Sequence, residues 1–180
     1  MKRMFLYFLL ALSSVLCAHV HAQMPSVSVK GGKVTVAGAR IPADWSIAPI
    51  LEKLGSNYRK RDGYNITYTY DPYGIVLFEK KGNENGTGKL IEIQVHFGGV
   101  EPNNVTPTGN YTGNAMVEKL TVNAGLASQN MMASLKKYAQ TESYTEHNFR
   151  MAYKGVYIYF LFNDNEQSLM KISIGPDKKS

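Results

Sequence analysis

YNITYTYDPYGIVLFEK (Tyr64–Lys80) and HNFRMAYKGVYIYFLF (His147–Phe162) follow one pattern. Each alternates side chains with period two on both sides of a tight turn, which predicts a β-hairpin. Asn65 matches Asn148, Ile66 matches Phe149, Tyr68 matches Met151 and Tyr70 matches Tyr153. The second turn is two residues shorter, after which Gly74 matches Gly155. Asp71-Pro72-Tyr73-Gly74 predicts a type I turn, with proline at its second position and glycine at its fourth.

The match extends in both directions. Upstream, KVTVAG (Lys33–Gly38) corresponds to KLTVNAG (Lys119–Gly125), each a short alternating strand ending at glycine. A helix signal follows each: Asp44 or Ser46 as a cap with Ile47, Leu51 and Leu54 on one stripe, then Ser128 as a cap with Met131, Leu135 and Tyr138. Downstream, LIEIQV (Leu90–Val95) corresponds to LMKISI (Leu169–Ile174), each preceded by a polar loop. Each unit therefore reads β-α-β-β-β, with starts 86 residues apart. One such unit buries little by itself, so two are expected to share a core. The fold class is α+β: two tandem β-α-β-β-β repeats forming a mostly antiparallel sheet with helices packed on one face. The expected repeats are residues 23–97 and 117–180, joined by a Gly/Asn/Pro/Thr linker at 98–116.

The first 22 residues have another character. Lys2 and Arg3 precede a mostly apolar run from Phe5 to Ala18, and Val20-His21-Ala22 offers a small-residue cleavage site. This reads as a secretory signal peptide cut near Ala22, and the apolar run is too short to span a bilayer comfortably. Lipidation at Cys17 is disfavoured, because Leu16 stands where a small residue is needed. A periplasmic or secreted protein is expected, with no integral membrane span in the mature chain.

The 180 residues are 44% apolar, 19% charged and 11% aromatic, which suits a globular core and excludes a disordered tail or a coiled coil. Beyond residue 22 there is no cysteine, and His96 and His147 are the two histidines. Disulfides, cysteine nucleophiles and zinc-finger spacings are thereby removed. Without Lys2 and Arg3 there are 18 basic against 14 acidic residues, a net charge of +4. The basic residues lie in scattered pairs, with Arg59-Lys60-Arg61 as a cluster, and no nucleic-acid role is expected. Gly82–Lys89 departs from a phosphate-loop pattern, with Leu90 where a magnesium-binding hydroxyl is required. Asn163-Asp164-Asn165-Glu166 lacks the glycine and later acid of a calcium loop. No metal site, no cofactor and no catalytic residue is expected, and the protein does not read as an enzyme.

Aromatic residues carry the remaining signal. Alternation sends Val156, Ile158, Phe160 and Phe162 to the core and Tyr157, Tyr159 and Leu161 to the opposite face. The first repeat places Ile75 and Leu77 inward, Val76 and Phe78 outward. Neighbouring strands add Thr67, Thr69, Glu92, Gln94, His96, Arg150, Lys171 and Ser173 to that outer face. Tyr, Phe and Arg mixed with a few charges is the composition of a protein-binding surface. The candidate partner-binding residues are Tyr157, Tyr159, Phe78, Arg150, Glu92, His96 and Lys171.

The tandem layout resembles the β-lactamase-inhibitor-protein-like architecture, and small outer-membrane-assembly lipoproteins of the BamE type are similar to one unit. The runs WSIAPILEKLG (Trp45–Gly55), YTYDPYGIVLFE (Tyr68–Glu79), LIEIQVHF (Leu90–Phe97) and Asn110-Tyr111-Thr112-Gly113 resemble an uncharacterised family of exported bacterial domains. The resemblance implies protein binding, as in inhibitors and immunity proteins that occlude an enzyme or toxin with a sheet surface. The expected function is an exported, periplasmic protein-binding module, an inhibitor or immunity protein that neutralises a secreted toxin or enzyme. The alternative is an envelope structural or assembly factor that binds outer-membrane proteins or peptidoglycan.

Overall fold

A computed structural model describes residues 23–139, 141–145 and 147–177. The expected signal peptide, its cleavage site and Cys17 lie outside the described residues. Strand β1 (Val27–Lys30) turns through Gly31-Gly32 into β2 (Lys33–Val36), and β3 (Ala39–Arg40) follows. After helix α1 (Ala48–Leu54) come β4 (Arg59–Asp62), β5 (Ile66–Tyr70), β6 (Ile75–Lys81) and β7 (Gly86–His96). The second repeat supplies β8 (Ala115–Val117), β9 (Leu120–Val122) and helix α2 (Ser128–Leu135), then β10 (Thr141–Thr145), β11 (Asn148–Tyr153), β12 (Val156–Phe162) and β13 (Leu169–Pro176). The fold is α+β, with two helices packed against two mostly antiparallel sheets in tandem repeats.

Each repeat is fuller than β-α-β-β-β. A hairpin (β1–β2 or β8–β9) precedes the helix and four strands follow it. The eight-stranded sheet runs β10-β11-β12-β13-β7-β6-β5-β4, and the five-stranded sheet runs β3-β2-β1-β8-β9. Both sheets are joined at their centres by equivalent strands, β13 with β7 antiparallel and β1 with β8 parallel. Ile75 faces Val95 in the first repeat, as Val156 faces Pro176 in the second. Thr69 faces Arg59 as Ala152 faces Thr141. These registers define a pseudo-twofold relation that carries Val95 onto Pro176 and Ile93 onto Ile174, which face each other across the central ladder. The final strands thus correspond with a two-residue shift from the match of Leu90–Val95 to Leu169–Ile174. Bulges at Phe78/Glu79 and Leu161/Phe162 interrupt the flanking ladders, and a shift of two keeps every side chain on its face.

The inner face behaves as alternation predicts. Ile75, Leu77, Ile158, Phe160 and Phe162 are buried in one cluster with Val29, Val36, Val117 and Val122 of the smaller sheet. The helices pack on that same side. In α1 the buried residues are Ile50 and Leu54, with Ile47 at the N-cap, whereas Leu51 is only partly buried. The expected Ile47–Leu51–Leu54 stripe faces the core cluster, with Leu51 at its margin and Ile50 added to it, and the helix begins just after Ile47 with proline in its first turn. Asp44 does not cap it; its carboxylate pairs instead with Lys89 Nζ at 2.5 Å. In α2, Met131 and Leu135 are buried as expected, while the Ser128 hydroxyl donates to Glu166 Oε2 at 2.6 Å rather than capping its own helix.

Among the described residues, no helix is long and apolar enough to cross a membrane.

Candidate functional site: the outer face of the large sheet

The register places the outward residues in rows across the sheet. Thr69, Val76, Gln94, Ser173, Tyr159 and Arg150 form one row, each facing the next on the neighbouring strand. His96 faces Lys171, which faces Leu161. Phe78 lies between Thr67 and Glu92. The expected outer face is therefore one continuous surface, but its two halves are finished differently.

Over the first half the chain folds back on itself. The segment 98–116, expected as a linker, supplies Ala115 and Met116 to β8 and crosses the sheet before doing so. Gly74, in the left-handed region at φ 63°, ends the 3-10 turn Asp71–Tyr73. Its bare Cα lets the crossing chain approach, and a Cβ there would collide with the backbone of Asn110 and Tyr111. Tyr111 N–H donates to the His96 carbonyl at 2.7 Å. Arg59 grips Asp71 through two bonds, Nε to Oδ2 at 2.5 Å and Nη2 to Oδ1 at 3.0 Å, and donates to the carbonyls of Asn104 and Thr106. Asp71 also accepts from Thr108 N–H at 2.8 Å. Beneath this strap Thr69 and Val76 are 2% and 0% exposed, and Pro107 of the strap is itself buried.

The Arg59 guanidinium holds the Asp71 carboxyl down at about 2, and the Thr108 bonds reinforce it. A carboxyl so depressed adds stability above its ordinary value, and that stability is lost as pH falls through its folded value. Asp71→Asn is expected to loosen the strap by about 1–2 kcal/mol, the worth of charged hydrogen bonds in a half-exposed setting. Faster amide exchange confined to residues 103–109 would be the reading. Acidifying the unmodified protein from about pH 4 to about pH 2 should have the same local effect. Unchanged exchange in the variant would contradict the pin.

The second half is open. A groove of about 630 Å3 is lined by Ile91, Glu92, Arg150, Tyr157, Tyr159, Lys171, Ser173, Pro176 and Asp177. Five candidates named from sequence, Tyr157, Tyr159, Arg150, Glu92 and Lys171, are thus brought together. Phe78, half-buried, borders the groove beside Glu92. His96 is not part of the accessible surface: it is 4% exposed, because the crossing chain closes over the end of β7. Ile91, beside the bulge at Phe78/Glu79, and Pro176 and Asp177, at the end of β13, complete the groove at places where simple alternation carries no signal.

Tyr157 organises the groove. Its ring lies on Gly175, where any side chain would collide with it, and its hydroxyl donates to Glu92 Oε2 at 3.0 Å. The Arg150 guanidinium stacks 5.2 Å from the ring centroid. Burial pushes the Tyr157 phenol well up, the Glu92 carboxylate adds to the rise, and Arg150 opposes it. Gln94 Nε2 donates to Glu92 Oε1 at 2.6 Å, leaving Gln94 Oε1 to face His96 Nε2 at 3.0 Å. An acceptor there requires His96 to carry its proton on Nε2, so Nδ1 is a bare acceptor, buried and without a hydrogen-bond partner. Burial, with the Lys171 charge nearby, holds His96 down at about 4. Burial also lowers the Lys171 amine, against the pull of Glu92. The groove therefore offers two flat phenol rings and two cations whose charges take part in no ion pair among the described residues.

Residues 26–132 match the family described as Domain of unknown function (DUF7738). The chain belongs to that family. The matched range spans the first repeat, the strap, the β8–β9 hairpin and half of α2, so it includes Glu92 but not Arg150, Tyr157, Tyr159 or Lys171. Comparison with curated proteins finds no match. Among solved structures, the chain is similar to a cysteine-rich secretory protein from Staphylococcus aureus subsp. aureus Mu50, at 9% identity and a TM-score of 0.44. That similarity covers 74% of this chain and 43% of the other, so the chain spans under half the length of that structure. No group of three or more His, Cys, Asp or Glu residues is placed to hold a metal among the described residues.

Proposed function

We propose that this protein is an exported protein-binding module that acts as an inhibitor or immunity protein, covering a site on a secreted toxin or enzyme with the open half of its outer sheet face. One observation carries the reading. The two repeats build the same surface twice, yet the chain covers only the half bearing Thr69 and Val76. The half left open is the one with Tyr157, Tyr159 and Arg150, residue types that dominate binding energy at protein interfaces. The rigid sheet beneath holds these side chains in place before binding, which limits the ordering cost. The signal-like leader supports an exported setting.

The test is affinity capture from the native envelope with tagged protein starting at Gln23, followed by titration of the captured partner. A small secreted protein recovered in stoichiometric amount, with its activity falling as this chain is added, is the expected outcome. Tyr157→Ala combined with Tyr159→Ala should weaken that complex by about 2 kcal/mol, roughly 30-fold, while thermal melting shows the fold retained. Undiminished affinity in a folded double variant, or recovery of outer-membrane barrels or cell-wall fragments in its place, would overturn the reading.

A further inference from the structure

The strap shows how this sheet face holds polypeptide. Three successive strap carbonyls are taken by donors of the first half: Asn104 by Arg59 Nη1 at 3.3 Å, Val105 by the Thr69 hydroxyl at 3.3 Å, and Thr106 by Arg59 Nη2 at 3.1 Å. The segment is neither helix nor strand, turns at Asn103–Thr106, and seats Pro107 in the interface. The pseudo-twofold relation carries Thr69 onto Ala152 and Val76 onto Tyr157. It also carries His96 onto Asp177: His96 N–H donates to the Gly74 carbonyl at 2.8 Å, and Asp177 N–H donates to the Gly155 carbonyl at 2.9 Å. The groove of the second half thus overlaps the place where, in the first half, the chain binds itself.

We propose that the groove takes an irregular loop of a partner polypeptide, laid on the sheet as the strap is, with its main-chain carbonyls and one acidic side chain directed at Arg150 and Lys171. This rests on the protein-binding reading above and names what is bound. Charge selects the acid. Glu92 already accepts from Tyr157 and Gln94, whereas neither Arg150 nor Lys171 is in an ion pair among the described residues. Arg150 on β11 faces Tyr159, and Lys171 on β13, across β12, stands diagonal to the same ring and faces Leu161, so a chain running obliquely over Tyr159 reaches both. A carboxylate gains most where its donors are partly desolvated, and Lys171 is half-buried.

The experiment is selection from a displayed library of short linear peptides against the protein from Gln23 onward, with the recovered peptides synthesised and titrated. Recovered peptides should carry an acidic residue next to proline or an apolar residue. They should bind Arg150→Gln and Lys171→Gln about tenfold more weakly, and Lys30→Gln, at the exposed β1–β2 turn, without change. Poly-aspartate binding as tightly as the selected peptides would show attraction to charge alone and would overturn the proposal. So would recovery of no peptide, or of peptides insensitive to both groove variants. If the peptides fail while the Tyr157→Ala, Tyr159→Ala pair still weakens the captured partner, this inference falls and the broader reading stands.

Discussion

Phe160→Ala should cost about 3–5 kcal/mol of folding stability, much or all of what a domain of this size has to lose. Phe160 is fully buried, faces Phe149 on one side and Ile172 on the other, and its ring centroid lies 6.3 Å from that of Phe149. It sits on β12, the strand next to the β13–β7 ladder that joins the repeats, so the cavity opens in the shared core where neighbouring strands have little freedom to close it. Urea unfolding is the measurement, with Tyr64→Ala as reference. Tyr64 is 96% exposed, and its replacement should move stability by no more than about 0.5 kcal/mol. A Phe160→Ala midpoint within error of that reference would mean that the repeats do not share their core.

Stability should also fall on mild acidification, through His96. An ordinary histidine titrates near 6.5, whereas His96 is held at about 4 in the fold. Between those values the unfolded chain binds the proton and the folded chain resists it, so stability drops as pH is lowered through that window and levels off below about pH 4. The full difference is about 3 kcal/mol. Its origin is geometric: protonation would place an N–H at Nδ1, where no acceptor waits, and a charge beside Lys171 in a site closed by the crossing chain. His96→Gln keeps a donor toward Gln94 and removes the titration. Urea midpoints compared at pH 7 and pH 4.5 should show most of the acid-dependent loss in the parent and much less in the variant. Equal losses would place the pH dependence elsewhere.

The duplicated architecture explains how one chain can both hide and present the same kind of surface. Each repeat contributes four strands to the large sheet, and the pseudo-twofold relation gives that sheet two equivalent outer halves. A connection must run from the end of β7 back to β8, and its route over the first half removes Thr69, Val76 and His96 from solvent. Side-chain choice then separates the halves further. Val76 and Gln94 correspond to Tyr157 and Gly175, and only the second pair lets a large phenol lie flat on the sheet and reach Glu92.

The amino-acid sequence by itself determined the repeat, the antiparallel hairpins and the sorting of side chains onto two faces. A period of two is a local property, and burial of one face makes it visible in Val156–Phe162 without any knowledge of neighbours. Strands Val27–Lys30, Arg59–Asp62 and Ala115–Val117 lie outside the strands read from sequence, and of these three only Arg59–Asp62 has no buried face. Arg59–Asp62 is exposed along its whole length, with the charges that protect a sheet edge, and Ala115–Val117 is too short to show a period. What only the tertiary structure decided is which part of the outer face is available. Alternation sent His96 and Tyr157 to the same surface, but the route of residues 98–111 buried the first and left the second at the rim of a groove. Such coverage depends on contacts such as Arg59 with Thr106 and Tyr111 with His96, between residues far apart in the chain, and no local periodicity records them.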